Sequence, residues 1–307
     1  MSEQVLRTNA LTKKYGQQAA VNNVSMSLHR GDIYGFIGRN GAGKTTMMKM
    51  MIGMALPSGG DIELFGCTDA KSIQKARRRI GSIIESPAIY PHLTAAENMQ
   101  CIRKLRGCVE DESAALLKLC GIADTEKKKA SKFSMGMKQR LGLAMTLIGH
   151  PDLLLLDEPV NGLDPQGTAD MRNLLLRLNR EQGITILVSS HMLDELSRIA
   201  TCYGIIDQGR LTEQISAKAL AEKCTSYTKL CVDDAEKASA LIETELGVRN
   251  YRVMEGGTAI HILEPVLDMA ALNACLVHGG VGVRSLSTVG QSLEYYFMSR
   301  TGGAAHA

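Results

Sequence analysis

The run Gly38-Arg39-Asn40-Gly41-Ala42-Gly43-Lys44-Thr45 fits the pattern G-x-x-x-x-G-K-[ST]. Glycines at this spacing let successive backbone N–H groups wrap a row of phosphates. Lys44 is placed to reach the β- and γ-phosphates, and the Thr45 hydroxyl to ligate Mg²⁺. Gly38, Asn40, Gly41, Gly43, Lys44, Thr45 and Thr46 are therefore the expected contacts of a nucleoside triphosphate. A second chemical group is the acid pair Asp157-Glu158, which ends the apolar run Leu153-Leu154-Leu155-Leu156. Adjacent carboxylates at the carboxyl end of a buried strand suit a metal ligand, Asp157, beside a base that polarises the attacking water, Glu158. The plainer alternative, a helix-capping or salt-bridged acid pair, fits less well once the glycine loop lies in the same chain.

These residues need elements to hold them. Ile33-Tyr34-Gly35-Phe36-Ile37 is a short apolar run of strand formers, and Thr45 to Ile52 follows the loop with helix formers and no glycine until Gly53. Strand, glycine loop and helix is the context in which the pattern becomes a site, because the helix N-terminus favours anions. Leu153 to Leu156 reads as a strand buried on both faces in a parallel sheet. Ile184 to Ser190 reads as another, with His191 at its end. Tyr203 to Arg210 reads as a last strand and a tight turn.

Taken in order, these segments resemble the ATP-binding subunit of an ABC transporter. Phe133-Ser134-Met135-Gly136-Met137-Lys138-Gln139-Arg140 is similar to the family's signature motif; it keeps Ser134 and Gly136 and departs at Phe133, Met135 and Met137. The resemblance implies that Ser134 and Gly136 meet the γ-phosphate of ATP held by an opposite subunit. It makes Asn161-Gly162-Leu163-Asp164-Pro165 the loop through which two ATPase subunits communicate, with Asp164 near the nucleotide. It makes His191 a γ-phosphate switch and Tyr15 the aromatic that stacks on adenine; a ring packed in an N-terminal antiparallel sheet is the other reading of Tyr15. Where most relatives carry a Gln that touches Mg²⁺ and the membrane partner, this chain has Glu85, in Ile83-Ile84-Glu85-Ser86-Pro87. That variant resembles the branch exporting bacitracin or lantibiotic-type antimicrobial peptides, and a carboxylate is a harder Mg²⁺ ligand than an amide.

The implied fold is α/β: a P-loop ABC-type ATPase core of parallel sheet and helices, with an antiparallel β subdomain and a helical subdomain at about 95–150, spanning 1–215. The remainder, 216–307, reads as a small α+β domain. Lys229–Val232, a helix from Ala235 to Leu246 with Leu241 and Leu246 on its face, a hairpin of Tyr251–Met254 and Thr258–Ile262 around Glu255-Gly256-Gly257, a helix from Val266 to Val277 and a strand from Val281 to Ser287 give βαββαβ, the ferredoxin-like pattern. A final helix is expected from Gln291 to Ser299, carrying Leu293, Tyr295, Tyr296 and Phe297.

Composition limits the partners. A net charge of +3 is too small to argue for nucleic acid. The eight cysteines show no C-x-x-C spacing and read as reduced thiols. The run Lys127-Lys128-Lys129 reads as a solvated face. No window reaches the roughly twenty apolar residues of a membrane helix. The resemblance then implies an ATPase peripheral to the cytoplasmic face of a membrane. Its cofactors are ATP and Mg²⁺, and its partners an integral-membrane permease and a second ATPase subunit closing head-to-tail. The alternative is a soluble ABC-type ATPase that acts as a switch on ribosomes or DNA. A structural partner with a degenerate site is opposed by the intact Lys44, Asp157, Glu158 and His191.

Overall fold

The computed structural model describes residues 3–125, 127–224, 227–254, 257–263, 268–289 and 293–301. Two compact units are present, Met1–Ala217 and Lys218–Ser299.

The first unit contains β1 (Gln4–Tyr15), β2 (Gln18–His29), β3 (Ile33–Ile37), β4 (Gly59–Leu64), β5 (Ile80–Ile83), β6 (Leu153–Asp157), β7 (Thr185–Ser190), β8 (Cys202–Asp207) and β9 (Arg210–Ser216). Six of these form one sheet in the order β5-β6-β7-β3-β8-β9. Its neighbours pair in parallel except β8 and β9. Every residue of β3, β6 and β7 is buried. That explains why their sequences read as continuous apolar runs rather than alternating ones. The β8–β9 turn falls on Gln208 and Gly209, both with positive φ, as a two-residue hairpin requires.

The long strands β1 and β2 pair with β4 in a separate antiparallel sheet, β2-β1-β4. The helix Lys44–Ile52 buries Met47, Met48, Met50 and Met51. These methionines join Leu6, Leu11 and Leu28 of the antiparallel sheet to Leu153, Leu155 and Leu187 of the parallel one in a single core. A helix apolar on several sides belongs inside, and unbranched Met adapts to two unlike walls. The phosphate-loop helix is thus fixed by packing on both sheets.

Three helices, Ala95–Arg106, Ser113–Leu119 and Met135–Leu147, form the helical part. Thr94 and Glu97 make a capping box at the start of the first, and Leu116 and Leu117 of the second are buried. Lys127, Lys128 and Lys129 are exposed, as the charge run implies.

In the second unit β10 (Tyr227–Val232), β11 (Tyr251–Val253), β12 (Ala259–Ile262) and β13 (Val283–Val289) form an antiparallel sheet of order β11-β12-β10-β13. Helices Ala235–Leu246 and Met269–His278 sit between β10 and β11 and between β12 and β13. This is the ferredoxin-like arrangement. Its core joins Leu230, Val232, Ile260 and Ile262 to Ala235, Ala238, Ile242, Leu272 and Leu276. Leu241 packs at the edge of that core, but Leu246 is exposed at the helix end beside the Gly247 cap, contrary to the sequence expectation. The strand expected at 281–287 runs two residues later. Glu255 and Gly256 of the hairpin turn, Val266, Gln291 and the Tyr295 side chain lie outside the described residues, whereas Tyr296 and Phe297 are buried.

An ionic node ties the base of the parallel sheet. Asp152, just before β6, accepts from Arg79 Nε at 2.7 Å and Arg30 Nη1 at 3.2 Å. The Arg79 hydrogen bond chiefly holds the Asp152 carboxyl below its usual range; burial opposes this and Arg30 adds to it. A depressed folded-state value stabilises the fold above the ordinary Asp pKa of about 4, and the contribution is lost as pH falls through the folded value. Asp152→Asn should therefore lower the melting temperature at pH 7 and flatten its decline below about pH 4. Thermal unfolding of both proteins from pH 7 to pH 3 measures this; parallel curves would contradict it.

Candidate functional site

The loop between β3 and the helix Lys44–Ile52 is built by close backbone approach. A Cβ at Gly38 would lie 2.4 Å from the Ile206 carbonyl oxygen, and one at Gly43 would lie 2.6 Å from that of Ala20. Gly43 also has φ of 108°, a conformation that side chains strain. Ala42 is anchored by its carbonyl to the Gly209 N–H at 2.9 Å. No side chain caps the helix that follows, so its first N–H groups face the loop. Asn40 and Gly41 lie exposed at the rim, and Thr45 and Thr46 are half-buried. The buried Lys44 ammonium donates to the carbonyl oxygens of Gly38 at 2.6 Å and Arg39 at 3.3 Å.

Parallel pairing brings the chemical residues to this loop, because β6, β7 and β3 are neighbours that end at the same edge. Thr45 Oγ1 donates to Asp157 Oδ2 at 2.8 Å, and Ser189 Oγ donates to Asp157 Oδ1 at 2.5 Å. Glu158 follows with φ of 49°, left-handed for a residue with a side chain. Its N–H lies 3.0 Å from Ser189 Oγ and 3.2 Å from Ser189 O. Glu158 Oε2 lies 2.8 Å from His191 Nδ1. Its other oxygen, Oε1, is buried without a hydrogen-bond partner, 3.6 Å from Lys44 Nζ. A buried carboxylate oxygen with no donor calls for one, which a water held by a bound substrate would supply. The Thr45 hydroxyl gives its proton to Asp157 and keeps lone pairs for a hard cation. Among the described residues no cluster of three His, Cys, Asp or Glu forms a complete cage. A hydroxyl and a carboxylate beside a phosphate loop suit Mg²⁺, which retains waters and binds through few protein oxygens.

The other expected residues fall elsewhere. Glu85, two residues beyond β5, has φ of 64°, with the Ser86 N–H donating to Ile84 O across it. Its carboxylate pairs with Lys49 at 2.6 Å, one turn along the phosphate-loop helix from Thr45. Tyr15 ends β1 with its ring half exposed under the Lys13 ammonium. Ser134 caps the helix Met135–Leu147 through the Met137 N–H, and Asp164 caps the helix Pro165–Gln182 through Gly167. These two helix starts adjoin, since a Cβ at Gly136 would meet Leu163 at 3.6 Å and one at Gly162 would meet Met135 at 3.8 Å. No hydrogen bond among the described residues joins Ser134 or Gly136 to the phosphate loop of the same chain. Phe133 is buried, which accounts for a large apolar residue before the Ser134 cap. Ser189 and Ser190 are site residues that the sequence motifs do not single out. Two adjacent hydroxyls closing a mostly apolar strand are the available signal. Ser190 Oγ accepts from the Met192 N–H at 2.9 Å and shapes the turn that presents His191.

The ABC transporter family's sequence model matches residues 21–161. The chain is 40% identical to the bacitracin transport ATP-binding protein of Bacillus licheniformis over 97% of this chain and 98% of the relative. It belongs to the ABC transporter ATP-binding family. A lantibiotic transport ATP-binding protein of Streptococcus pyogenes is 40% identical over 67% of this chain and 89% of its own. Among solved structures, an ATP-binding cassette bound to ADP and Pi in a dimeric post-hydrolysis state superposes with a TM-score of 0.62 at 25% identity, covering 69% of this chain and 98% of that one. The ABC-type fold expected from the motifs is the fold observed, and this ABC cassette is a nucleotide-binding ATPase.

Gly43→Ala tests the loop geometry directly. The added methyl meets the Ala20 carbonyl and opposes a φ of 108°. Affinity for a fluorescent ATP analogue should fall at least about tenfold, the equivalent of ~1.4 kcal/mol. Unchanged affinity in a folded variant would show that the loop tolerates a side chain there.

Proposed function

We propose that this chain hydrolyses Mg-ATP at Asp157 and Glu158 to power a membrane exporter of antimicrobial peptides of the bacitracin or lantibiotic kind. The observation that carries the hydrolytic reading is the buried Oε1 of Glu158, which accepts no hydrogen bond and ion-pairs with Lys44 at 3.6 Å, with Oε2 held by His191.

In this reading the loop N–H groups and the start of the helix bind the phosphates, and Lys44 turns from its loop carbonyls to the β- and γ-oxygens. Thr45 and Asp157 would hold Mg²⁺, whose charge would offset that of the phosphates. Glu158 Oε1 orients and polarises the attacking water, and His191 fixes the Glu158 carboxylate and reaches the γ-phosphate. Tyr15 offers a ring face to the adenine. Ser134, exposed at a helix N-terminus, and the adjoining Gly136 and Asp164 complete the site of a second, head-to-tail subunit. Glu85, paired with Lys49 in this structure, would add a carboxylate toward Mg²⁺ and link the site to a permease; its left-handed backbone is the kind of strain that functional turns hold. No described helix is long and apolar enough to cross a membrane. The passage itself is proposed to belong to a separate permease, with this chain bound on its cytoplasmic face. The cargo follows the relatives, two of which are named for bacitracin and lantibiotic transport.

Glu158→Gln keeps the side chain's shape and removes its basicity. It should bind ATP within about threefold of wild type, lose at least about 100-fold in turnover and accumulate as an ATP-bound dimer. Phosphate release and light scattering measure both, and near wild-type release would overturn the role of Glu158.

For cargo, a sensitive bacterium expressing this chain with its permease should tolerate more bacitracin or lantibiotic than one expressing Glu85→Ala with the same permease. Equal sensitivity of both strains and the parent, with both proteins assembled, would remove the peptide cargo.

A further inference from the structure

We propose that Ser189 is a positioning residue for ATP hydrolysis, its hydroxyl fixing the Asp157 carboxylate and the Glu158 backbone at once. The inference rests on the reading of Asp157 and Glu158 given above.

Ser189 is fully buried in the middle of the parallel sheet, between β3 and β6. A hydroxyl there costs stability unless it is hydrogen-bonded, so what it bonds to is informative. Pairing places Ser189 directly beside Asp157. The hydroxyl donates to Asp157 Oδ1 at 2.5 Å and accepts from the Glu158 N–H at 3.0 Å. Its side-chain partners are thus the two acids. Thr185, equally buried on the same strand, instead accepts from the Gly31 N–H, and Ser190 bonds the Met192 turn. Those two hydroxyls bond backbone alone, whereas that of Ser189 holds the Asp157 carboxylate together with the Glu158 backbone.

Two consequences follow from removing it. Asp157 is held by Thr45 on one oxygen and by Ser189 on the other, so its plane is locked from two elements. Without Ser189 Oγ the carboxylate pivots about the Thr45 bond and keeps a buried oxygen without a donor. The Glu158 N–H would retain only the longer Ser189 carbonyl bond at a residue whose φ is 49°. A displacement of about 1 Å at a reacting group costs on the order of 100-fold in rate.

The test compares Ser189→Ala, Ser189→Cys and Ser189→Thr with wild type and Glu158→Gln, with folding checked by thermal melting. Ala removes the hydroxyl; Cys keeps the size with a poor hydrogen-bonding group; Thr keeps the hydroxyl. For Ala and Cys we expect kcat to fall about 10- to 100-fold with KM for ATP within about threefold. The Mg²⁺ concentration giving half-maximal rate should rise several-fold, and Mn²⁺ binding in the ATP complex, read by electron paramagnetic resonance, should weaken in parallel. Thr should recover most of both. Should Ala fail to fold, Cys and Thr alone still decide the matter. Wild-type kcat and Mn²⁺ affinity in Cys, or equal losses in Cys and Thr, would overturn the proposal while an inactive Glu158→Gln left the Glu158 reading standing. Full turnover by Glu158→Gln would overturn both.

Discussion

The site depends on one carboxylate whose two oxygens are claimed by different elements. Asp157 receives Thr45 from the phosphate-loop helix and Ser189 from the neighbouring strand. It is buried, and its neighbour Glu158 departs from ordinary strand geometry immediately after it. Such a group is tolerable only with its donors in place, so the three elements must meet in one register. The parallel order β6-β7-β3 supplies that meeting, and the methionine-rich helix packed between two sheets holds Thr45 at the required depth. The fold around the site is therefore arranged to satisfy a buried carboxylate, and the same arrangement sets Glu158 Oε1 beside the Lys44 ammonium.

Much of this was legible in the sequence because the strongest signals are local. The glycine loop needs positive φ and backbone contact at particular positions, and only glycine supplies both at Gly43. Strands β3, β6 and β7 announced themselves by apolar runs that only a doubly covered sheet accommodates. The ferredoxin-like order of the second unit followed from alternating helix and strand periods. What escaped depends on register between segments distant in the chain. Ser189 gains its role only by lying opposite Asp157, and Lys49 only by facing Glu85. Leu246 misled because helical spacing alone does not tell where the opposing sheet stops.

The second cluster has a different character. Ser134, Gly136 and Leu163 gather at two adjoining helix starts, where Ser134 and Asp164 already satisfy local N–H groups. Capping and nucleotide contact are compatible, since a cap uses one lone pair of the oxygen and leaves the helix N-terminus electrically positive. In the proposed head-to-tail pair this surface serves the phosphate held by the other subunit, and a solved cassette of the same fold is dimeric. Glu85, the residue through which the proposed reading links that chemistry to a membrane partner, pairs with Lys49 of the phosphate-loop helix.

The most direct test of the central claim is Mn²⁺ binding to the ATP complex, followed by electron paramagnetic resonance, in wild type and Asp157→Asn. The amide keeps the shape and an acceptor oxygen but loses the charge. If Asp157 organises the site, Asn should weaken Mn²⁺ at least about tenfold, ~1.4 kcal/mol, while ATP alone still binds. Equal Mn²⁺ affinity in the two proteins would contradict the account.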